Sequence, residues 1–175
     1  KKHVLGFWEG ATENHEICIE LLSNLEDRGL TLSSQILFVI DGGKGIAKAL
    51  KERFGKDLVK QRCTLHKDRN IQSHLPKKYR KEAHRRFRNA IDCYSYEDAI
   101  EELHKLEKWL ERINPSAADS LTESLEQLLT VHRLKVPPLL RKTLHSTNPI
   151  ESMFSMVSRQ IGKLKSIKKG KMAQR

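Results

Sequence analysis

Two carboxylates and one cysteine–histidine pair are the residues of this chain whose type and setting suit chemistry. Asp41 ends the run Ile36-Leu37-Phe38-Val39-Ile40 and is followed by Gly42-Gly43-Lys44-Gly45. The apolar run reads as a strand buried on both faces, because a half-exposed strand would alternate with polar residues. Asp41 then stands where the strand leaves a sheet, which is where open α/β sheets bind ligands, and the glycines let the backbone turn and a ligand come close. Glu151 lies 110 positions later in Ser146-Thr147-Asn148-Pro149-Ile150-Glu151. That segment reads as a helix start with Asn148 as cap, Pro149 first and Glu151 third, where the helix end favours negative charge. Two carboxylates facing one cleft bind magnesium or manganese, hard cations that take oxygen ligands. Two such ions about 4 Å apart activate an attacking oxygen and stabilise a leaving one in phosphodiester chemistry. A third carboxylate is ordinarily needed; Asp57 and Asp68 are the candidates, though each reads as a solvated residue of a charged loop or helix start. The plainer readings are that Asp41 opens a turn and that Glu151 completes a capping box with Asn148.

Cys63-Thr64-Leu65-His66 has the spacing of half a zinc site, but no second pair follows at finger spacing. A histidine at a strand end near Asp41 can contact a phosphate or orient a carboxylate; a packed cysteine beside a surface histidine is the alternative. Gly42-Gly43-Lys44-Gly45 lacks the spacing of a phosphate-binding loop, and no Gly-x-Ser-x-Gly suggests a serine hydrolase.

The elements around these residues follow from periodicity. Val4 to Trp8 reads as the end of a strand, and Asn14 as a cap for a helix bearing Ile17, Leu21 and Leu25 that Gly29 ends. After Asp41 comes a short helix with Ile46, Ala47, Leu50 and Phe54 on one face, closed by Gly55, then a strand from Leu58 to about Cys63. Alternating strands and helices imply crossover units on a largely parallel sheet. Beyond His66 the pattern is helical: one helix from Pro76 carries Tyr79, Ala83, Phe87 and Ile91, one after Ser95 carries Ile100 to Ile113, and one after Asn114-Pro115 carries Leu121 to Leu129. Val136-Pro137-Pro138 breaks them and turns the chain back.

The chain has 175 residues and a net charge of +11, unevenly placed. Residues 60–90 and 141–175 are strongly basic, whereas 92–130 is acidic, the footprint of a protein that meets a polyanion on one side. No apolar run is long enough for a membrane helix. Three widely spaced cysteines, Cys18, Cys63 and Cys93, suggest reduced thiols and a cytoplasmic setting. A start in Lys-Lys-His suggests a piece of a longer chain.

Leu5-Gly6-Phe7-Trp8-Glu9-Gly10-Ala11-Thr12-Glu13-Asn14, the strand ending in Asp41-Gly42-Gly43, Cys63-x-x-His66 and Ser146-Thr147-Asn148-Pro149-Ile150-Glu151-Ser152 stand in an order that resembles the Mutator-type transposases of bacterial insertion sequences. The resemblance implies a ribonuclease H-like α/β fold, partial here, with an all-helical insertion between the second Asp and the Glu of an Asp-Asp-Glu triad that binds two magnesium or manganese ions. Asp41 matches the second Asp, Glu151 the Glu, and Cys63 and His66 the family's Cys-x-x-His. The first Asp is expected upstream of Lys1, so the isolated chain is expected to be inactive.

The expected divisions are 1–66 as the first part of the core, 67–140 as the insertion, 141–165 as a returning core helix and 166–175 as a basic tail. Asp41 and Glu151 are the expected metal ligands, with His66 beside the reacting phosphate and Cys63 and Asn148 supporting. Lys67, Arg69, Lys77, Lys78, Arg85, Arg86 and Arg88 are expected to face DNA. The expected partners are element-end and target DNA and further copies of the parent chain, in the bacterial cytoplasm at the nucleoid. The rival expectations are a DNA-binding remnant that does not cut, and a helical interaction protein whose acidic stretch 92–130 forms a partner surface.

Overall fold

A computed structural model describes residues 3–6, 14–31, 36–55 and 58–161. Two strands, β1 (Leu37–Ile40) and β2 (Val59–Arg62), run parallel, paired from Leu37 opposite Val59 to Ile40 opposite Arg62. The crossover between them contains α2 (Lys44–Phe54), which packs beside α1 (His15–Asp27). Cys18, Leu22, Ile40, Ala49, Leu50 and Phe54 form the core of this unit, and Phe38 meets Phe54 edge to face at 4.5 Å. Asn14 caps α1 by accepting the Ile17 N–H at 2.8 Å, and Gly29 leaves the helix at φ +96. Gly45 has a packing reason: a Cβ there would lie 2.9 Å from the Asn14 carbonyl carbon, so α2 starts in direct backbone contact with the cap of α1.

The strand before Asp41 is less enclosed than its composition implies. Ile40 is buried, but Leu37, Phe38 and Val39 are half-buried, because the described sheet has only two strands. Val4 to Gly6 are not in a strand, and Val4 and Leu5 are exposed; Phe7, Trp8, Thr12, Asp57 and the basic tail lie outside the described residues.

The larger core is helical. It is built by α3 (Thr64–Ser73), α4 (Lys77–Ile91), α5 (Tyr96–Glu111), α6 (Pro115–Thr122) and α7 (Leu125–Leu128), around Ile71, Phe87, Leu103, Leu110, Leu121 and Leu129, and α8 (Thr130–Arg133) packs on β2 beside it. Ser95 accepts the Asp98 N–H at 2.9 Å and Asn114 the Ser116 N–H at 2.9 Å, which starts α5 and α6 where their caps predict. Three expectations need correction. The helix α3 starts at Thr64, so the expected boundary after His66 falls inside a helix and His66 lies in a first helical turn rather than at a strand end. The single leucine-rich helix breaks at Glu123 and Ser124 and again at Leu129, giving α6, α7 and α8. Pro137-Pro138 does not merely interrupt: Lys135 turns the chain at φ 52, and Pro138 opens α9 (Pro138–Leu144) at a position where its missing N–H costs nothing.

Gln61 joins the two parts. Fully buried on β2, it donates its amide to the Leu128 carbonyl at 2.8 Å and accepts the Val131 N–H at 3.1 Å, while the Thr130 hydroxyl donates to the Lys60 carbonyl at 2.7 Å. The side of β2 away from β1 is thereby covered by the α7–α8 joint, and backbone groups left open by the break between those helices find partners. The chain then returns through α10 (Asn148–Ile161). No helix among the described residues is long and apolar enough to cross a membrane.

A candidate active site at the strand ends

Backbone hydrogen bonds draw three segments together. The Cys63 N–H donates to the Ile40 carbonyl at 2.7 Å, continuing the β1–β2 ladder by one residue, and the Thr64 N–H donates to the His145 carbonyl at 3.0 Å. Cys63, at the cap position of α3, therefore lies between the residue before Asp41 and the approach to α10. Its side chain is fully buried, and His66, one turn into α3, points back toward it with Nδ1 at 3.3 Å from Sγ. Across from them the first turn of α10 brings the Thr147 N–H to 3.4 Å from Sγ and a Glu151 oxygen to 3.7 Å from His66 Nδ1. The Thr147 hydroxyl lies 2.5 Å from that same Glu151 oxygen and 3.3 Å from Sγ. It has one proton, and the shorter contact assigns it to the carboxylate. Cys63, His66 and Glu151 present ligand atoms that all lie within 4.8 Å of one another.

Helix α10 starts at Asn148, so the position ahead of it belongs to Thr147, whose carbonyl accepts the Ile150 and Glu151 N–H groups at 3.0 and 3.1 Å. Thr147 orients Glu151 and holds the cap position expected for Asn148, which is the first residue of α10 and exposed. Asp41 does not belong to the cluster of three. Its carboxylate is exposed and folds onto its own loop, accepting the Gly43 N–H at 3.0 Å, the turn-forming geometry of the plainer expectation. Beside it Gly42, at φ +99 in the conformation that favours glycine, is covered by the Arg62 side chain: a Cβ there would fall 0.9 Å from Nη1 and would displace the guanidinium. Arg62 Nε is buried with no hydrogen-bond partner among the described residues, and its guanidinium lies at the turn that carries Asp41.

The basic side chains divide. Lys67 is buried with its ammonium between the Ser120 carbonyl and the Glu123 carboxylate, each at 2.5 Å, so it fastens α3 to the α6 end and is unavailable to a phosphate. Burial pushes its pKa down and the Glu123 hydrogen bond pulls it back up. Asp68 is likewise no solvated carboxylate; it is buried and paired with His84 at 2.6 Å. Arg69, Lys77, Lys78 and Arg85 are exposed, while Arg86 and Arg88 are half-buried. Glu82 holds both Arg85 and Arg86 at 2.7 Å, and these bonds, that from Arg85 foremost, hold its carboxyl below the usual range. Arg86 also lies over the Trp109 ring at 5.1 Å, and Arg88 pairs with Asp92 at 3.3 Å. Even so, α4 carries seven Lys/Arg against Glu82 alone and remains a positive surface. Arg62, Gln61 and Thr147 escape sequence reasoning; the one usable signal was a Thr just ahead of Asn-Pro, itself a possible cap.

Acidic, imidazole and thiol groups at the carboxyl ends of parallel strands, near a basic helical surface, suit a protein that handles phosphate groups or metal ions. The chain belongs to the Mutator family of transposases: it matches the family model described as Transposase, Mutator family, over residues 1–168. It is 29% identical over 165 residues to the transposase for insertion sequence element IS905 of Lactococcus lactis, covering 93% of this chain and 40% of that protein. It is 26% identical to the transposase for element IST2 of Acidithiobacillus ferrooxidans, covering 95% of this chain and 55% of the relative. A third relative, the transposase for IS1201 of Lactobacillus helveticus, is 28% identical over 91% of this chain and 42% of its own length. The chain thus spans about half the length of the curated relatives it matches.

Proposed function

We propose that this segment supplies part of the catalytic core of a DNA transposase, in which Asp41 and Glu151 hold magnesium or manganese for cleaving and joining DNA strands. The observation that carries the reading is the convergence of three distant segments: the residue before Asp41 bonds to Cys63, and Cys63 and His66 pack on the turn that presents Glu151. On this reading the parallel pair and α2 belong to a ribonuclease H-like sheet, with the helical body as the insertion between Asp41 and Glu151.

The donor chemistry fits in part. Asp41 is exposed with one oxygen engaged by the Gly43 N–H, and Glu151 is half-exposed with one oxygen engaged by Thr147. Each carboxylate keeps an oxygen for a hard cation. Magnesium retains several waters and is held through one or two carboxylates, so the two side chains need not touch. When bound, the ions supply Lewis acidity to the attacking and leaving oxygens of an in-line displacement. The chain's own residues supply orientation: Thr147 fixes one oxygen of Glu151, the Gly43 N–H fixes one of Asp41, and His66, one-third exposed, stands where a phosphate oxygen can accept its proton. The exposed cations of α3 and α4, Arg69, Lys77, Lys78 and Arg85, draw in the DNA backbone. Partners are then element-end and target DNA, with further copies of the whole protein.

The test is magnesium-dependent strand cleavage by the whole protein that carries this segment. Glu151→Gln is expected to lower cleavage by about 10³-fold, the several kcal/mol of metal-assisted charge stabilisation, with DNA affinity unchanged. Normal cleavage by that variant overturns the assignment. Salt-dependent DNA binding with no metal-dependent cleavage in the wild type favours a binding module instead.

A further inference from the structure

The Cys63, His66 and Glu151 cluster has a property that catalysis by hard cations does not use: its donor set is soft to borderline. Magnesium sites are built from oxygen, whereas one thiolate, one imidazole and one carboxylate are the ligands zinc accepts. The spacing agrees. Zinc bonds of about 2.3 Å to sulfur and about 2.0–2.1 Å to nitrogen or oxygen, at tetrahedral angles, separate sulfur from nitrogen by about 3.6 Å and nitrogen from oxygen by about 3.4 Å. The observed separations are 3.3 Å from Cys63 Sγ to His66 Nδ1 and 3.7 Å from His66 Nδ1 to Glu151 Oε1. All three atoms lie within 4.8 Å of one another.

The surroundings also resemble those of a metal site rather than a chance approach. Cys63 is fully buried, and the Thr147 N–H reaches its sulfur at 3.4 Å. The Thr147 hydroxyl fixes the carboxylate oxygen that faces the imidazole, the outer-sphere support that ligating groups ordinarily receive. The remaining side is open, since His66 and Glu151 are each about one-third exposed, and a fourth position there would take water. From sequence the pair Cys63-x-x-His66 lacks a partner pair; the fold supplies a third ligand from 85 residues further along the chain.

We propose that Cys63 Sγ, His66 Nδ1 and Glu151 Oε1 form a three-ligand site for a borderline transition metal, zinc(II) being the prototype. Binding breaks the Cys63 S–H bond, releases that proton to solvent and forms metal bonds to sulfur, nitrogen and oxygen, with no change of oxidation state. The site stands on this geometry alone. If Glu151 also serves strand cleavage, zinc held there withdraws it from the hard-metal pair, a consequence that rests on the proposed function.

Cobalt(II), a coloured substitute for zinc, tests the site on the chain itself. The expected result is a thiolate-to-cobalt charge-transfer band in the near ultraviolet that saturates at one equivalent and is abolished when zinc is added. Cys63→Ser is expected to remove the band and Cys93→Ser to leave it. Glu151→Gln, a change at a half-exposed helix start that circular dichroism can check for intact folding, is expected to weaken cobalt binding by at least the ~10-fold lost with even an outer partner. No band, a band that survives Cys63→Ser, or affinity unchanged in Glu151→Gln overturns the proposal. Each of these results leaves the strand-cleavage test standing, so the two readings fail separately.

Discussion

Replacing Gln61 with leucine tests how the helical body is fastened to the strand that ends in Cys63. The side chain is fully buried and pairs with the Leu128 carbonyl at 2.8 Å and the Val131 N–H at 3.1 Å. Leucine nearly matches it in size, so packing is kept while the Leu128 and Arg62 carbonyls and the Val131 N–H lose this partner. Leaving a buried polar group unpaired costs about 1–3 kcal/mol, and Thr130 still holds Lys60 at 2.7 Å, which resists wholesale separation. A total of about 2–5 kcal/mol is expected, which for a chain of this size lowers Tm by about 5–15 °C. Thermal unfolding followed by circular dichroism reads the loss. Amide exchange adds a local signature, because the Val131 N–H should exchange faster while amides within α4 and α5 change only with global stability. A Tm within about 1 °C of the wild type, together with unchanged protection of Val131, would refute the claim that this one side chain joins the two parts.

Lys67→Met and Glu123→Ala should differ although they break the same pair. Methionine replaces the buried stem and removes a buried charge, which offsets the partner lost by the Ser120 carbonyl and by a glutamate that is already 62% exposed, for a net change within about 1 kcal/mol. Glu123→Ala leaves the ammonium buried against one carbonyl and is expected to cost about 1–3 kcal/mol in urea unfolding; the reverse order contradicts the assignment. Burial pushes the pKa values of His132 and His145 below the usual range, with Arg141 adding repulsion at the first and Arg88 at the second. The unfolded chain then takes up protons before the folded one, so this contribution is complete above the ordinary histidine value of about 6.5 and is lost as pH falls below it. Tm is expected to drop between pH 7.5 and 5.5 and to drop less in His132→Gln; an equal drop in the variant contradicts the account. Lys77→Ala with Lys78→Ala, both exposed, should weaken DNA binding at low salt and reduce the slope of log affinity against log salt by about 1–2, with thermal stability unaffected.

Local rules explain the legible part of the fold. Asn14, Ser95 and Asn114 cap the helices that follow them because each bond spans only two or three residues. The apolar faces of α2, α4 and α5 are also regular enough to read from their spacing. Helix α3 escapes for a physical reason: its buried positions 64, 67, 68 and 71 have helical spacing, but they are Thr, Lys, Asp and Ile. Lys67 and Asp68 are tolerated inside because Ser120, Glu123 and His84, from distant parts of the chain, satisfy them. The same non-locality hides the break in the leucine-rich segment, where Gln61 takes over backbone pairing that a longer helix would have kept for itself. At the site, Asp41 at its strand end and the Cys63-x-x-His66 spacing were visible as types. That Cys63 and His66 meet Glu151 could not be read from spacing, because Cys63 meets Thr147 and Glu151 only through the return of α10.

On the proposed function, β1, β2 and α10 would assemble one divalent-metal site from Asp41 and Glu151. Manganese titrated onto the ¹⁵N-labelled chain, with amide line broadening as the readout, tests it most directly. The amides of Asp41–Gly43 and of Thr147–Ser152 are expected to broaden together, and Asp41→Asn is expected to remove the effect from both segments. Broadening at Thr147–Ser152 that persists undiminished in Asp41→Asn, or no broadening at Asp41 in the wild type, would contradict it.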